Sequence, residues 1–393
     1  MPTTSSVILA LGLLCAGAGV ANAGTFSFPL KNGFPFPSER ALEELFVRAG
    51  GNFTNHPPAV KFDDDSLTSW KLKTFNEFME VAFFTQLIAN ITDRVLGYEL
   101  DPEEEPYILS TLKAIQAVRR LPINSRVMTQ EEMHAYNAND AVRFFSGGRH
   151  IYPCTYDFPV SDFASAIAFA QTFTDMYIGL LIDIQWHTGE HLGSDGSPPI
   201  LYVLGQALGQ EGQQSGWFRS LQGKPPSAEP FLTASTREFA FSWLQRWVVP
   251  GTCPNATGTG AESDIPLPIL PRLDVVGEVR RTGRLTLRAP GPVDPDTMRV
   301  AYVNGALMPT VLPFEVSHVS RSCGVGERTG KFQMPLWCDD EDVVSTITVD
   351  FPFENNVMHG LTLAAVVTNG PTFMVPADVS KATVYGPAVI EVA

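Results

Sequence analysis

Glu131 and His134 stand three residues apart in the stretch Met128 to Asp140, MTQEEMHAYNAND. On an α-helix that spacing puts a carboxylate and an imidazole on one face, within reach of a single point. Carboxylate oxygen and imidazole nitrogen form a donor set suited to iron or manganese, and an open position on such an ion allows oxygen chemistry. Two more glutamates, Glu80 in NEFMEVAFF and Glu211 in QEGQQS, lie inside apolar runs. A buried carboxylate is costly unless it is paired, hydrogen-bonded or bound to metal, so these residues call for a joint explanation.

The elements that must position them are helices. The first is expected from about Ser69 to Gly97, where Asn76, Phe83, Phe84, Leu87 and Ile91 surround Glu80 at helical spacing. Glu77 is a second candidate, about one sixth of a turn off that line. Pro106 opens a helix that runs to about Arg120 and is ended by Pro122. The helix from about Asn124 to Phe145 carries Glu131 and His134 and stops at Ser146-Gly-Gly. The aromatic, Pro-bearing segment Ile151 to Val160 is expected as a loop across the bundle. Ser161 and Asp162 can cap a third long helix, Phe163 to about Trp186, whose small face includes Gln171 and Asp175. A fourth, Ile200 to Leu221, bears Glu211 and Gln214, and a short helix, Ser235 to Val248, completes this domain.

The period then changes. Residues 250–273 hold many Pro, Gly and Thr and read as a linker. Beyond them Arg284 to Arg288, Met298 to Val303, Val344 to Phe351 and Leu361 to Thr368 alternate or run β-branched, with Asn304-Gly305 and Asn369-Gly370 as turn signals. Short strands without a helical stretch predict an Ig-like β-sandwich over 274–393. The expected organisation is a signal peptide at 1–23, an extended segment at 24–68, a helical domain at 69–249, the linker and the sandwich.

Composition sets the compartment. Met1 to Ala23 has an apolar core ending in Ala21-Asn22-Ala23, the pattern of a secretory signal. No other apolar run is expected to span a bilayer, so the protein is predicted to be secreted, extracellular or in the cell wall, without a membrane anchor. The formal net charge of −15 argues against nucleic acid as a partner. Past the signal peptide the cysteines are Cys154, Cys253, Cys323 and Cys338, which allow three connectivities. The pairing Cys154–Cys253 with Cys323–Cys338, one bridge per domain, is favoured. Asn52, Asn90 and Asn255 open glycosylation sequons.

Four long helices with inward carboxylates follow the ferritin-like plan, in which two helices give a Glu and two give Glu-x-x-His. The predicted fold is therefore α + β with two domains, a ferritin-like four-helix bundle and then the sandwich. Glu80, Glu131, His134 and Glu211 fit that plan. Gln214 stands where a histidine is expected, and the third helix has no glutamate at all, which leaves Asp175 or Gln171 as substitute ligands. The favoured state is a degenerate metal site, a buried polar network of these seven residues with no turnover of its own. An iron- or manganese-dependent oxidase or peroxide scavenger is the alternative. The HTGEH string at His187 to His191 is read as a loop rather than a zinc helix, and no serine-nucleophile, phosphate-loop or dinucleotide motif is present.

The strings NEFMEVAFFTQLIANIT, QEEMHAYNANDA, YPCTYDFPVSDFASAIAFAQTFTD, GQEGQQSGWFR and PFLTASTREFAF resemble the fungal secreted ferritin-like proteins of stress response and late sexual development, which are similar to plant desiccation-related proteins. The resemblance spans about residues 65 to 250. It implies a ferritin-like fold and a setting in stress or fruiting-body development. A third reading makes the β-domain a binding module for cell-wall polysaccharide or protein.

Overall fold

A computed structural model describes residues 24–49, 62–115, 130–191, 198–254, 264–277, 279, 281, 283–321, 343–370 and 372–392. The expected signal peptide, Cys323, Cys338 and the sequons at Asn52 and Asn255 lie outside them. Helices fill the N-terminal part and strands the C-terminal part, in a mixed α and β chain that divides into two compact units. One unit comprises the described residues up to Pro226 with Leu244–Pro268. The other joins Ser227–Trp243 to Ile269–Ala393. The short helix α7, Arg237–Leu244, thus starts within the β-rich unit, and the segment expected as a linker is divided between the two.

The helical unit holds α1 (Glu39–Ala49), α2 (Asp64–Thr92), α3 (Glu105–Ile115), α4 (Gln130–Phe145), α5 (Phe163–His191) and α6 (Pro198–Leu221). Helix α2 packs against α4 and α5, and α5 packs against α6. Asp63 caps α2 by accepting from the Ser66 amide at 2.8 Å, and Asp64 and Asp65 add negative charge to the first turn, where the helix dipole favours it. Thr68 and Ser69 return their hydroxyls to the carbonyls of Asp64 and Asp65, so this polar stretch is helical five residues before the expected start. At the other end Gly97, with φ of 90°, lets the chain turn against α5: the Phe163 amide donates to the Gly97 carbonyl, and an added Cβ would meet Asp162 at 3.0 Å.

Helix α5 runs past Trp186 to His191, so HTGEH is helical rather than a loop. His187 lies 3.1 Å from Asp65 and 3.8 Å from Asp183, while the side chains of Glu190 and His191 are outside the described residues. By length and composition α5 could cross a bilayer, contrary to expectation, but 89% of its most apolar stretch is buried, as in a core helix. The loop at 151–160 crosses the unit as expected. Asn139 donates to the Ile151 carbonyl and accepts from its amide, Tyr156 bridges to Phe26 and Val248, and Cys154 is bonded to Cys253. Asn90 is buried on α2, 7% exposed, beside the Tyr98 hydroxyl.

The second unit has eight described strands: β1 (Asp274–Val276), β2 (Arg284–Ala289), β3 (Met298–Asn304), β4 (Thr310–Leu312), β5 (Phe314–Arg321), β6 (Val343–Asp350), β7 (Gly360–Thr368) and β8 (Thr383–Val392). They form two antiparallel sheets, ordered β1-β2-β6-β5 and β4-β3-β7-β8. Leu285, Leu287, Ile347 and Val349 of the first share one core with Val300, Tyr302, Val366 and Ile390 of the second. Two short helices, α8 (Phe353–Asn356) and α9 (Pro376–Ala382), interrupt what the sequence suggests is helix-free. The Thr233 hydroxyl donates to the Leu361 carbonyl at 2.6 Å and accepts from the Gly305 amide at 2.7 Å, which ties the 227–243 segment to this unit. Thr233→Val keeps the shape and strands that amide. It is expected to cost about 1–3 kcal/mol in urea unfolding, and a change within error would show that the bond contributes nothing.

Candidate metal centre

Helical periodicity brings Lys73, Glu77 and Glu80 of α2 to one face, and Glu131 and His134 of α4 and Glu211 and Gln214 of α6 converge on it. Glu77, Glu80, Glu131 and Glu211 are all 0% exposed, and Lys73 is 3% exposed. Two groups have ligand atoms mutually within 4.8 Å: Glu77, Glu131 and His134, and Glu80, Glu131 and Glu211. Glu131 belongs to both. The Nδ1 atom of His134 lies 3.2 Å from Glu131, 3.5 Å from Glu211 and 3.6 Å from Glu77.

Hydrogen bonds hold part of this cluster. Gln214 Nε2 donates to Glu131 Oε1, and Lys73 Nζ pairs with Glu77 Oε1. From α5 the Tyr177 hydroxyl accepts from Lys73 at 2.9 Å and donates to the same Glu77 oxygen. The rest is unsatisfied. Glu77 Oε2, Gln214 Oε1 and both oxygens of Glu80 and of Glu211 are buried without a hydrogen-bond partner. Leaving a buried acceptor unpaired costs about 1–3 kcal/mol, and more for a charged group, so a cation or protons would be stabilised here.

The electrostatics agree. Burial, then the negative charge of Glu211, Glu131 and Glu77, holds Glu80 well above the usual carboxylate range. Burial, then Glu131 and Glu77, does the same to Glu211. Burial raises Glu77 too, against the pull of Lys73 and His134. For Glu131 burial acts upward, but the charge and hydrogen bond of His134 and the bond from Gln214 outweigh it and hold the carboxyl below its usual value. Burial lowers His134, yet Glu77 and Glu131 outweigh it and the imidazole is raised. Tyr177 is pushed well up by burial and by Glu77, Glu80 and Glu211, which keeps its hydroxyl a donor.

The structure therefore assembles Glu80, Glu131, His134 and Glu211. Gln171 and Asp175 are not brought into either ligand group. Gln171 donates to Asp175 at 3.2 Å and accepts from Gln222 and Lys224, and Ser215 donates to Asp175 at 2.6 Å, a separate polar group between α5 and the end of α6. Gln214 orients Glu131 in place of a histidine ligand. Sequence reasoning passed over Lys73 and Tyr177 and gave Glu77 second place. A Lys–Glu pair four residues apart usually marks a solvated helix face; the signal against that is the apolar run that follows it, Val81-Ala82-Phe83-Phe84.

No protein-family model matches the chain, and no curated protein matches it.

Proposed function

We propose that the helical unit is a ferritin-like bundle whose core binds iron or manganese, in a secreted protein of fungal stress response or sexual development. The carrying observation is that both oxygens of Glu80 and of Glu211 are buried without a hydrogen bond, within one ligand-sized group with Glu131. Hard oxygen donors with one imidazole suit iron or manganese. Glu80, Glu131 and Glu211 would hold the ion, with the His134 imidazole of the adjoining group beside it, 3.2 Å from Glu131 and 3.5 Å from Glu211. Such an ion supplies redox chemistry toward oxygen or peroxide. The chain's own part is positional. Gln214 fixes one oxygen of Glu131, Tyr177 holds Glu77 as a donor, and Phe84 and Phe218, fully buried and stacked 5.8 Å apart on α2 and α6, add apolar wall to the same pair of helices.

The strand order supports an Ig-like reading of the second unit. Four strands face three plus one added edge strand, β4, in the order of that sandwich. A second reading of the core, a metal-free polar network, is favoured by Gln214, whose amide donates to Glu131 where a ferritin-like site carries histidine. Metal analysis separates the two. Protein reconstituted with Fe(II) or Mn(II) and desalted is expected to retain metal in whole-number ratio, and Glu131→Ala to retain none, because Glu131 serves both ligand groups. Native protein that retains no metal would leave the polar network as the reading.

A further inference from the structure

We propose that Lys73 is the built-in second cation of this centre, so that the core takes one metal ion where its carboxylates could serve two. The inference rests on the metal-binding reading above.

The two ligand groups overlap only at Glu131, which gives the cluster the makings of a pair of sites. They differ in what already occupies them. In the Glu80, Glu131 and Glu211 group, no hydrogen bond holds either oxygen of Glu80 or of Glu211, and only Glu211 Oε1 has a charged neighbour, His134 Nδ1 at 3.5 Å. In the Glu77, Glu131 and His134 group, Glu77 Oε1 is held by both the Lys73 ammonium and the Tyr177 hydroxyl, and Tyr177 in turn accepts from Lys73 at 2.9 Å. Lys73 is 3% exposed, so this ammonium is a fixed part of the interior. Its charge acts on Glu77, Glu80, Glu131, Glu211 and His134 alike. A second metal ion bound through Glu77 would compete with the ammonium for the same carboxylate and would lie beside a positive charge in an interior of low dielectric. Four carboxylates with Lys73 and one divalent ion are balanced to within one charge, and a second ion would reverse the sign of the cluster.

Mn(II) serves as the probe. Native protein, Lys73→Met, Lys73→Gln and Lys73→Arg are loaded with excess Mn(II), desalted, and read for manganese per chain and for the electron paramagnetic resonance spectrum. Native protein and Lys73→Arg are expected to hold one ion with the spectrum of an isolated Mn(II). The two neutral variants are expected to hold two, a doubling, with the broadened spectrum of a coupled pair. Circular dichroism selects the neutral variant that folds. Two ions in native protein, or one in a folded neutral variant, overturns the role of Lys73 and leaves metal binding intact. No ion in native protein removes the metal-binding reading itself, and this inference with it.

Discussion

Metal-free protein is expected to lose stability between pH 5 and pH 8, and Glu80→Gln to recover part of that loss while giving up the metal. Glu80 and Glu211 are held above their usual value of 4.5, chiefly by burial and then by neighbouring carboxylates. Below 4.5 folded and unfolded chains are both protonated and the groups add no slope. Above it the unfolded chain releases protons that the folded core retains, so each group removes about 1.4 kcal/mol per pH unit until its raised folded value is reached. Glu77 acts in the same sense. His134 joins above 6.5, since its raised folded value means that stability present below that pH is lost as the imidazole deprotonates. Glu131 is opposite in sign, but its lowered value confines it to pH below 4.5. Glutamine at position 80 removes one of these protons and the like-charge repulsion, a gain on the order of 2 kcal/mol at pH 8. Bound metal reverses the trend, because ions displace protons and bind more tightly as pH rises. Urea unfolding of chelator-treated and metal-loaded protein at pH 5, 6.5 and 8 reads both slopes. A flat profile without metal would mean that the carboxylates are ionised and paired by something else.

The second large effect concerns the Cys154–Cys253 bridge, which spans 99 residues. Cross-linking points so distant restricts the unfolded chain strongly, and a loop of this length corresponds to roughly 4–5 kcal/mol. Cys154→Ser with Cys253→Ser is therefore expected to lower the melting temperature of the helical unit by about 10–15 °C. The bond between Asn139 and Ile151 and the Tyr156 bridges remain in the double variant. A fall of under about 2 °C would show that these contacts already fix the loop and that the unfolded chain is constrained without the bridge.

The helices that carry the candidate ligands were legible because their apolar residues recur at helical spacing, and that periodicity, the three-residue spacing of Glu131 and His134 and the four-helix plan together singled out Glu80, Glu131, His134 and Glu211. What escaped did so for local reasons. The start of α2 is polar, and its hydroxyls bond within the helix. HTGEH contains a glycine, which α5 tolerates within its last turn. In the β-rich unit the strands at 284–289, 298–304, 343–350 and 360–368 alternate or run β-branched. β8 contains Gly386-Pro387, which breaks the pattern, yet as an edge strand it can carry a proline. Lys73 and Tyr177 were hidden because residue type says little about direction: a lysine that points into a core and one that points into water differ only in what the other helices bring to them.

The contribution of α2 has a geometric side. Lys73, Glu77 and Glu80 rise along about 10 Å of one helix and fall within about 60° of arc. A substitution between them, at Thr74 or Met79 for example, leaves that bearing intact. One residue inserted after Phe75 would swing Glu77 and Glu80 by about 100° relative to Lys73 and carry both carboxylates off the face shared with α4 and α6. The count of residues between 73 and 80 is thus as much a part of the ligand set as the glutamates themselves, and the segment should tolerate changes of chemistry far better than changes of length.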